Sequence, residues 1–249
     1  MQTAWKKQGM DKFMEHETYQ VTAEDHWKGM LGRMGKLWPD NRSVIQQKIV
    51  VGTFDASVQF LDGKKEGLIT GQQTWNYYEK ENKTAEPVFM KKNKRKSFGM
   101  SACQYFFELS DRLLKAPIIS YAGQKEFNGK QYDLVFATWE KAKQHKEHDQ
   151  YILYINKATG LIEYCKFTLR DNYLKTPGSG IVYSSIQFSD LKEIDGAMIP
   201  MTQYIYFLNP KKKTKKYLHR LQVQDFKFGA FDKSELYPNK DIKKIGNSK

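Results

Sequence analysis

Two histidines three residues apart stand beside two acids in the run His145-Lys146-Glu147-His148-Asp149. Imidazoles and carboxylates at that spacing can ligate zinc or another divalent ion, which could then activate a water for hydrolysis. Such a site needs three or four ligands in one shell. The other histidines, His16, His26 and His219, are isolated, and Lys143, Gln144 and Lys146 give the run the look of a polar loop between strands. A metal-dependent hydrolase using His145, His148 and Asp149 therefore stands as an alternative, and the expectation is that no metal is bound.

Other chemistries have less to work with. The chain has no G-x-S-x-G elbow, no P-loop, no dinucleotide-binding glycine pattern and no H-E-x-x-H. Cys103 falls in an expected helix and Cys165 in an aromatic strand. Both read as small buried apolar residues, since nothing nearby in sequence would depress a thiol pKa. Gly178-Ser179-Gly180 reads as a flexible loop and is too weak a signal for a phosphate cradle. The expectation is no catalytic residue, no cofactor and no enzymatic activity.

The net charge of +13 invites a nucleic-acid reading that its distribution argues against. Lys91, Lys92, Lys94, Arg95 and Lys96 form one cluster, Lys211, Lys212, Lys213, Lys215 and Lys216 a second, and the tail from Lys240 to Lys249 a third. Together they account for the whole excess, so the remaining body is neutral. No base-reading motif accompanies them, and nucleic acid is not an expected partner. Solvated loops and a tail that keep a β protein soluble explain them. A functional reading is peripheral adhesion of the basic loops to an anionic membrane.

The elements that would carry any site are strands. With 249 residues, 40% hydrophobic and 14% aromatic, the chain can bury a large core, and it contains no apolar run of roughly 20 residues. Strands are expected at 43–51, 53–61 and 66–80, with Asp62-Gly63 turning between the second and third. Further strands are expected at 118–127 and 130–140 around Asn128-Gly129, and at 149–156 and 161–171. The last set is 181–194 and 197–208 around Asp195-Gly196, then 217–228. A helix is expected over 98–114, ending before Pro117. No βαβ alternation appears, so the pattern is an antiparallel meander.

Several strands are apolar on both faces. Tyr151, Leu153 and Ile155 alternate with Ile152 and Tyr154, and Tyr204, Tyr206 and Leu208 with Ile205 and Phe207. A strongly curved sheet wrapping a helix or cavity would need this. So would a sheet whose faces are simply filled by core and the N-terminal segment. Most of the aromatic set, which includes Tyr78, Phe106, Tyr164 and Phe167, is explained by core packing. Trp75, Tyr77, Phe107, Leu113, Trp139 and Tyr206 are the candidates for the wall and lid of a ligand pocket.

At Phe106–Pro117 (FFELSDRLLKAP), Tyr132–Trp139 (YDLVFATW), Asp149–Tyr164 (DQYILYINKATGLIEY) and Phe188–Pro200 (FSDLKEIDGAMIP) the chain resembles the lipoprotein-carrier superfamily typified by LolA and LolB. Within it, the chain is most similar to bacterial outer-membrane or secreted lipoproteins. The resemblance covers roughly residues 66–228 and rests on hairpin motifs, so no functional residue is carried over. It implies a mainly β chain, with a curved antiparallel sheet forming an incomplete half-barrel and one or a few short helices packed at its concave side. It also implies an apolar interior that receives acyl chains, and export to the periplasm or outer membrane. The chain starts Met1-Gln2-Thr3-Ala4-Trp5, with no apolar leader and no lipobox cysteine. The expectation is that an export signal has been trimmed, the alternative being a cytoplasmic protein.

The expected protein is thus a monomeric, non-enzymatic lipoprotein that binds a lipid or other hydrophobic ligand. It would form one LolA-like domain over 1–249, with 1–16 as an N-terminal arm and 238–249 as a basic flexible tail. A structural or interaction module with a filled core is the remaining alternative.

Overall fold

The computed structural model describes residues 1–90, 93–143, 147–169, 183–208 and 216–242. The helices among them are α1 (Gln2–Lys7), α2 (Met10–Glu15), α3 (Gly29–Gly35), α4 (Lys94–Phe107) and α5 (Leu109–Leu114). The strands are β1 (Thr18–Trp27), β2 (Arg42–Val50), β3 (Ala56–Phe60), β4 (Ile69–Gln73), β5 (Asn76–Lys80) and β6 (Val88–Phe89), then β7 (Ile118–Phe127) and β8 (Lys130–Thr138). They continue as β9 (Tyr151–Asn156), β10 (Ile162–Thr168), β11 (Tyr183–Ile194), β12 (Ala197–Phe207) and β13 (His219–Phe228). The chain is mainly β, and its strands form one antiparallel sheet in the order β6-β5-β4-β3-β2-β1-β13-β12-β11-β10-β9-β8-β7. Its two outer strands, β6 and β7, differ, so it is not closed into a barrel. The described chain divides into two compact units. One comprises Met1–Phe13 with Glu108–Arg220, the other Met14–Phe107 with Leu221–Lys249.

In the first unit the expected hairpins form where the turn chemistry places them. Asn128 and Gly129 have φ of 53° and 72°, and Asp195 and Gly196 have φ of 49° and 80°. Two consecutive positive-φ residues make the tight turn whose twist matches the flanking strands. The residues expected as an arm at 1–16 fold as α1 and α2, burying Ala4, Met10 and Phe13. Between the two helices, Gly9 (φ +65°) lies against the β11–β12 turn so closely that a Cβ there would collide with the Gly196 carbonyl. Gln8 accepts a hydrogen bond from the Met198 amide at 2.9 Å, and Trp5 Nε1 donates to Asp111 at 3.3 Å.

The second unit departs further from the pattern. β1 was not legible: Tyr19, Val21 and Ala23 alternate inward, but Gln20, Thr22 and Glu24 dilute the signal, and its burial comes from lying between β2 and β13. The strand expected over 66–80 is a hairpin of β4 and β5 around Thr74 and Trp75, with φ of 45° and 65°. Neighbours impose that turn without glycine. Asp55 accepts the Thr74 amide at 2.6 Å, and the Trp75 ring lies 5.0 Å from that of Phe54. The helix expected over 98–114 breaks at Glu108, whose ψ of 14° separates α4 from α5. Within the expected tail, Asn239 accepts from Gln73 Nε2 at 2.7 Å and donates its amide back at 3.2 Å, while 243–249 lie outside the described residues.

Candidate ligand-binding face

Strand register in the first unit defines two faces with different chemistry. On one, Leu153 on β9 shares its side with Val135 and Ala137 of β8, Cys165 of β10 and Ile186 of β11. All are buried, which makes this side plain apolar core. The opposite side carries a row of Leu134, Tyr154, Tyr164, Gln187 and Tyr204. Beside it runs a second row of Phe136, Ile152, Lys166, Ser185 and Tyr206. Burial on both faces of β9, expected from its two-sided apolar pattern, is what the fold contains.

The second face is built around phenols. Tyr132, Tyr154 and Tyr164 meet edge-on in a closed triangle, with ring centroids 5.9, 5.8 and 6.1 Å apart. Edge-to-face packing sets the positive rim of one ring against the negative face of the next. The hydroxyls are held individually. Tyr132 donates to Glu163 at 2.7 Å, Tyr206 donates to Gln187 at 3.0 Å, and Tyr164 accepts from Asn128 at 3.3 Å. Burial pushes all four phenols above the ordinary tyrosine value, so they stay neutral. Around this floor Leu134, Phe136, Ile152, Tyr183 and Tyr204 are only half-buried, leaving apolar surface free for contact.

Two lysines edge the floor. Lys125 stands 5.9 Å from the Tyr154 ring centroid and Lys166 5.3 Å from that of Tyr183. Among the described residues neither makes an ion pair. Burial, followed by the nearby Lys125 charge, holds the Lys166 amine below its ordinary value. Lys130, by contrast, is neutralised by Glu163 at 2.9 Å. The face therefore offers apolar and aromatic surface with two adjacent cations that pair with no acid among the described residues.

The six residues expected to line a pocket are not gathered in one place. Tyr206 lies on the phenolic face. Trp139 is half-buried and rests on Tyr151 at 6.2 Å, on the opposite side of β9. Leu113 is buried in α5. The other three belong to the second unit. Trp75 sits in the β4–β5 turn, Phe107 closes α4 against Tyr19 and Phe226, and Tyr77 donates to Glu79 below Lys96 of α4.

The layer between α4 and its sheet is more polar than an oily interior would be. Gln104 donates to the Val50 carbonyl at 2.9 Å, Gln72 to the Phe54 carbonyl at 2.9 Å, and Thr70 faces Met100. Gln47, Gln72 and Gln104 are all buried there. Burial raises the Cys103 and Cys165 thiols, which disfavours the nucleophilic thiolate. Among the described residues no three His, Cys, Asp or Glu side chains group as metal ligands. His148 pairs with Glu140 at 3.0 Å, while His145, Gly178-Ser179-Gly180 and the lysines 91, 92 and 211–215 lie outside the described residues.

No protein-family model and no curated protein matches the chain. Solved structures do. A LolA superfamily protein from Nitrosomonas europaea superposes with a TM-score of 0.57 at 10% identity, covering 96% of this chain and 97% of that one. The fold is LolA-like. A DUF1329 family protein from Desulfovibrio piger gives 0.54 at 11% identity, covering 96% and 95%. A domain from Vibrio parahaemolyticus named for outer membrane lipoprotein sorting gives 0.51 at 10% identity, covering 94% and 96%. The fold resemblance read from the hairpin motifs thus holds over nearly the whole chain, well beyond 66–228. Among the described residues of this LolA-like chain no helix is long and apolar enough to cross a membrane.

Sequence reasoning placed Tyr154, Tyr164 and Tyr204 in its aromatic set but passed over Tyr132, Lys125 and Lys166. The usable signal was parity. Lys125 and Tyr132 oppose each other across the Asn128-Gly129 hairpin, so one side had to carry both.

Proposed function

We propose that this chain is a non-enzymatic protein of the bacterial envelope, periplasmic or at the outer membrane, that binds an amphiphile through the phenolic face of its first unit. The acyl portion lies on the half-buried Leu134, Phe136, Ile152 and Tyr204, above the buried Tyr206. An anionic head group sits between Lys125 and Lys166. The observation that carries the reading is the pair of lysines, unpaired with any acid among the described residues, at the edge of half-buried apolar surface. A cation that meets aromatic rings and, among the described residues, no acid, beside greasy surface, is matched by a molecule that is anionic at one end and apolar along its length. The LolA-like fold supports the reading, because its structural neighbours include a domain named for lipoprotein sorting. Each methylene removed from water contributes about 0.8 kcal/mol, so an acyl chain needs few polar contacts.

Lipid extraction and native mass spectrometry of the purified chain test this. A co-purifying amphiphile is expected, and it should be lost in the variant Phe136→Glu/Ile152→Glu, two residues that face each other across β8 and β9. Preparations that stay empty, or a guest retained by that variant, would contradict the reading.

A further inference from the structure

Two lysines from different strands converge on one tyrosine of the phenolic face. Lys125 opposes Tyr132 across the β7–β8 pair, yet its amine stands 5.9 Å from the ring of Tyr154, one strand further in. Lys166 on β10 opposes Ile152, while Tyr164, two residues before it, opposes Tyr154. Lys166 is therefore a diagonal neighbour of that same Tyr154. Diagonal neighbours lie about 7–8 Å apart, within reach of long side chains. Burial, and after it the Lys125 charge, holds the Lys166 amine below its ordinary value, so the two ammonium groups repel each other across this floor.

Two acids border the pair, and neither forms an ion pair with it. Glu163 accepts from Tyr132 at 2.7 Å, from Lys130 at 2.9 Å and from Asn156 at 2.7 Å. Glu126 follows Lys125 on β7, so strand alternation turns it to the other side, and it accepts from Gln131 at 3.1 Å. Like charges brought together without an acid between them suit an anion that carries more than one charge. A carboxylate or a phosphodiester carries one, and leaves one of the two lysines unmatched. A phosphate monoester carries about −1.5 to −2 at pH 7 with three strong acceptor oxygens, enough for both.

We propose that the head group taken by this face is a phosphate monoester at the end of an acyl or alkyl chain, held jointly by Lys125 and Lys166 beside the Tyr154 ring. This rests on the amphiphile-binding reading and narrows it to one class of lipid.

Isothermal titration of the full chain tests the assignment, with dodecyl phosphate, methyl dodecyl phosphate, dodecanoate and inorganic phosphate as probes. Dodecyl phosphate should bind one-to-one and about tenfold more tightly than its methyl diester, which has one charge fewer, with dodecanoate near the diester. Lys125→Met, at an exposed strand position, should shrink that preference to about threefold or less without lowering the thermal midpoint, and Lys166→Met should do the same. Equal affinity for monoester and diester in the wild-type chain would overturn the head-group assignment and leave the amphiphile reading standing. So would a preference that both variants keep. Inorganic phosphate binding as tightly as dodecyl phosphate would also overturn it, since the alkyl chain would then add nothing. Failure of all three alkyl probes to bind would instead sink the amphiphile reading, and this assignment with it.

Discussion

The Lys166 ammonium stands 5.3 Å from the centroid of the Tyr183 ring, a cation over a π face at the edge of a floor of neutral phenols. Burial and the neighbouring Lys125 charge both disfavour its protonated form, so the folded chain holds this charge at a net cost. Because the folded pKa is depressed, that cost is complete below the lowered value. It is relieved as pH rises from the lowered value toward the ordinary 10.5. A bound anion reverses the balance. Lys166→Met should therefore leave folding stability at pH 7 unchanged or higher, while weakening binding of an anionic amphiphile about three- to tenfold. Binding of an uncharged analogue should not change. Urea unfolding and isothermal titration measure the two halves separately.

The same residue gives a pH signature. An anionic head group beside Lys166 raises its pKa again, so binding takes up protons when the free amine is partly deprotonated. Affinity for an anionic guest should fall as pH rises above the lowered Lys166 value. Titrations in two buffers of different ionisation enthalpy should show the proton uptake in the wild-type chain and its loss in Lys166→Met.

Glu163 is the structural counterpart. Burial pushes its carboxyl upward, but hydrogen bonds from Tyr132, Lys130 and Asn156 outweigh that and hold it below the ordinary 4.5. Its contribution is complete above that ordinary value and is lost as pH falls through the lowered one. Glu163→Gln should cost about 1–2 kcal/mol at pH 7. Urea melts at pH 7 and pH 3 should show the difference from wild type shrinking in acid.

Gly9 allows the α1–α2 turn to reach the Gly196 backbone, at a positive φ and with no room for a Cβ. Gly9→Ala should cost about 3 kcal/mol or more and raise hydrogen exchange across residues 2–13. Gly123→Ala, equally left-handed at φ +94° but with nothing near its Cβ position, should cost only about 1 kcal/mol. Equal costs would mean that the close approach does not hold the N-terminal helices.

The sequence made the first unit easy to read and the second hard. Asn128-Gly129 and Asp195-Gly196 announce their turns because asparagine, aspartate and glycine accept positive φ cheaply. Thr74-Trp75 makes a turn of the same kind from residues that resist it, so local chemistry concealed it, and only Asp55 and Phe54 across the fold explain it. β1 was hidden because its inward row is short and modest, and its burial is imposed by neighbours far along the chain. The aromatic residues were visible, but their sides were not. Register separates Tyr206 from Trp139 by the full thickness of the sheet, and composition holds no record of register.

The β4–β5 turn carries its own prediction. A β-branched residue at φ 45° is strained. Thr74→Asn, which tolerates that conformation and keeps the backbone amide for Asp55, should raise stability by about 0.5–1 kcal/mol in thermal or urea unfolding.

The central claim is that an acyl chain lies against the phenolic face, and a chain-length series tests it most directly. Dissociation constants for saturated fatty acids of increasing length should tighten about three- to fourfold per added methylene until the face is covered. Phe136→Glu/Ile152→Glu should flatten that slope. Affinity that is absent, or independent of chain length in the wild-type protein, would contradict the account.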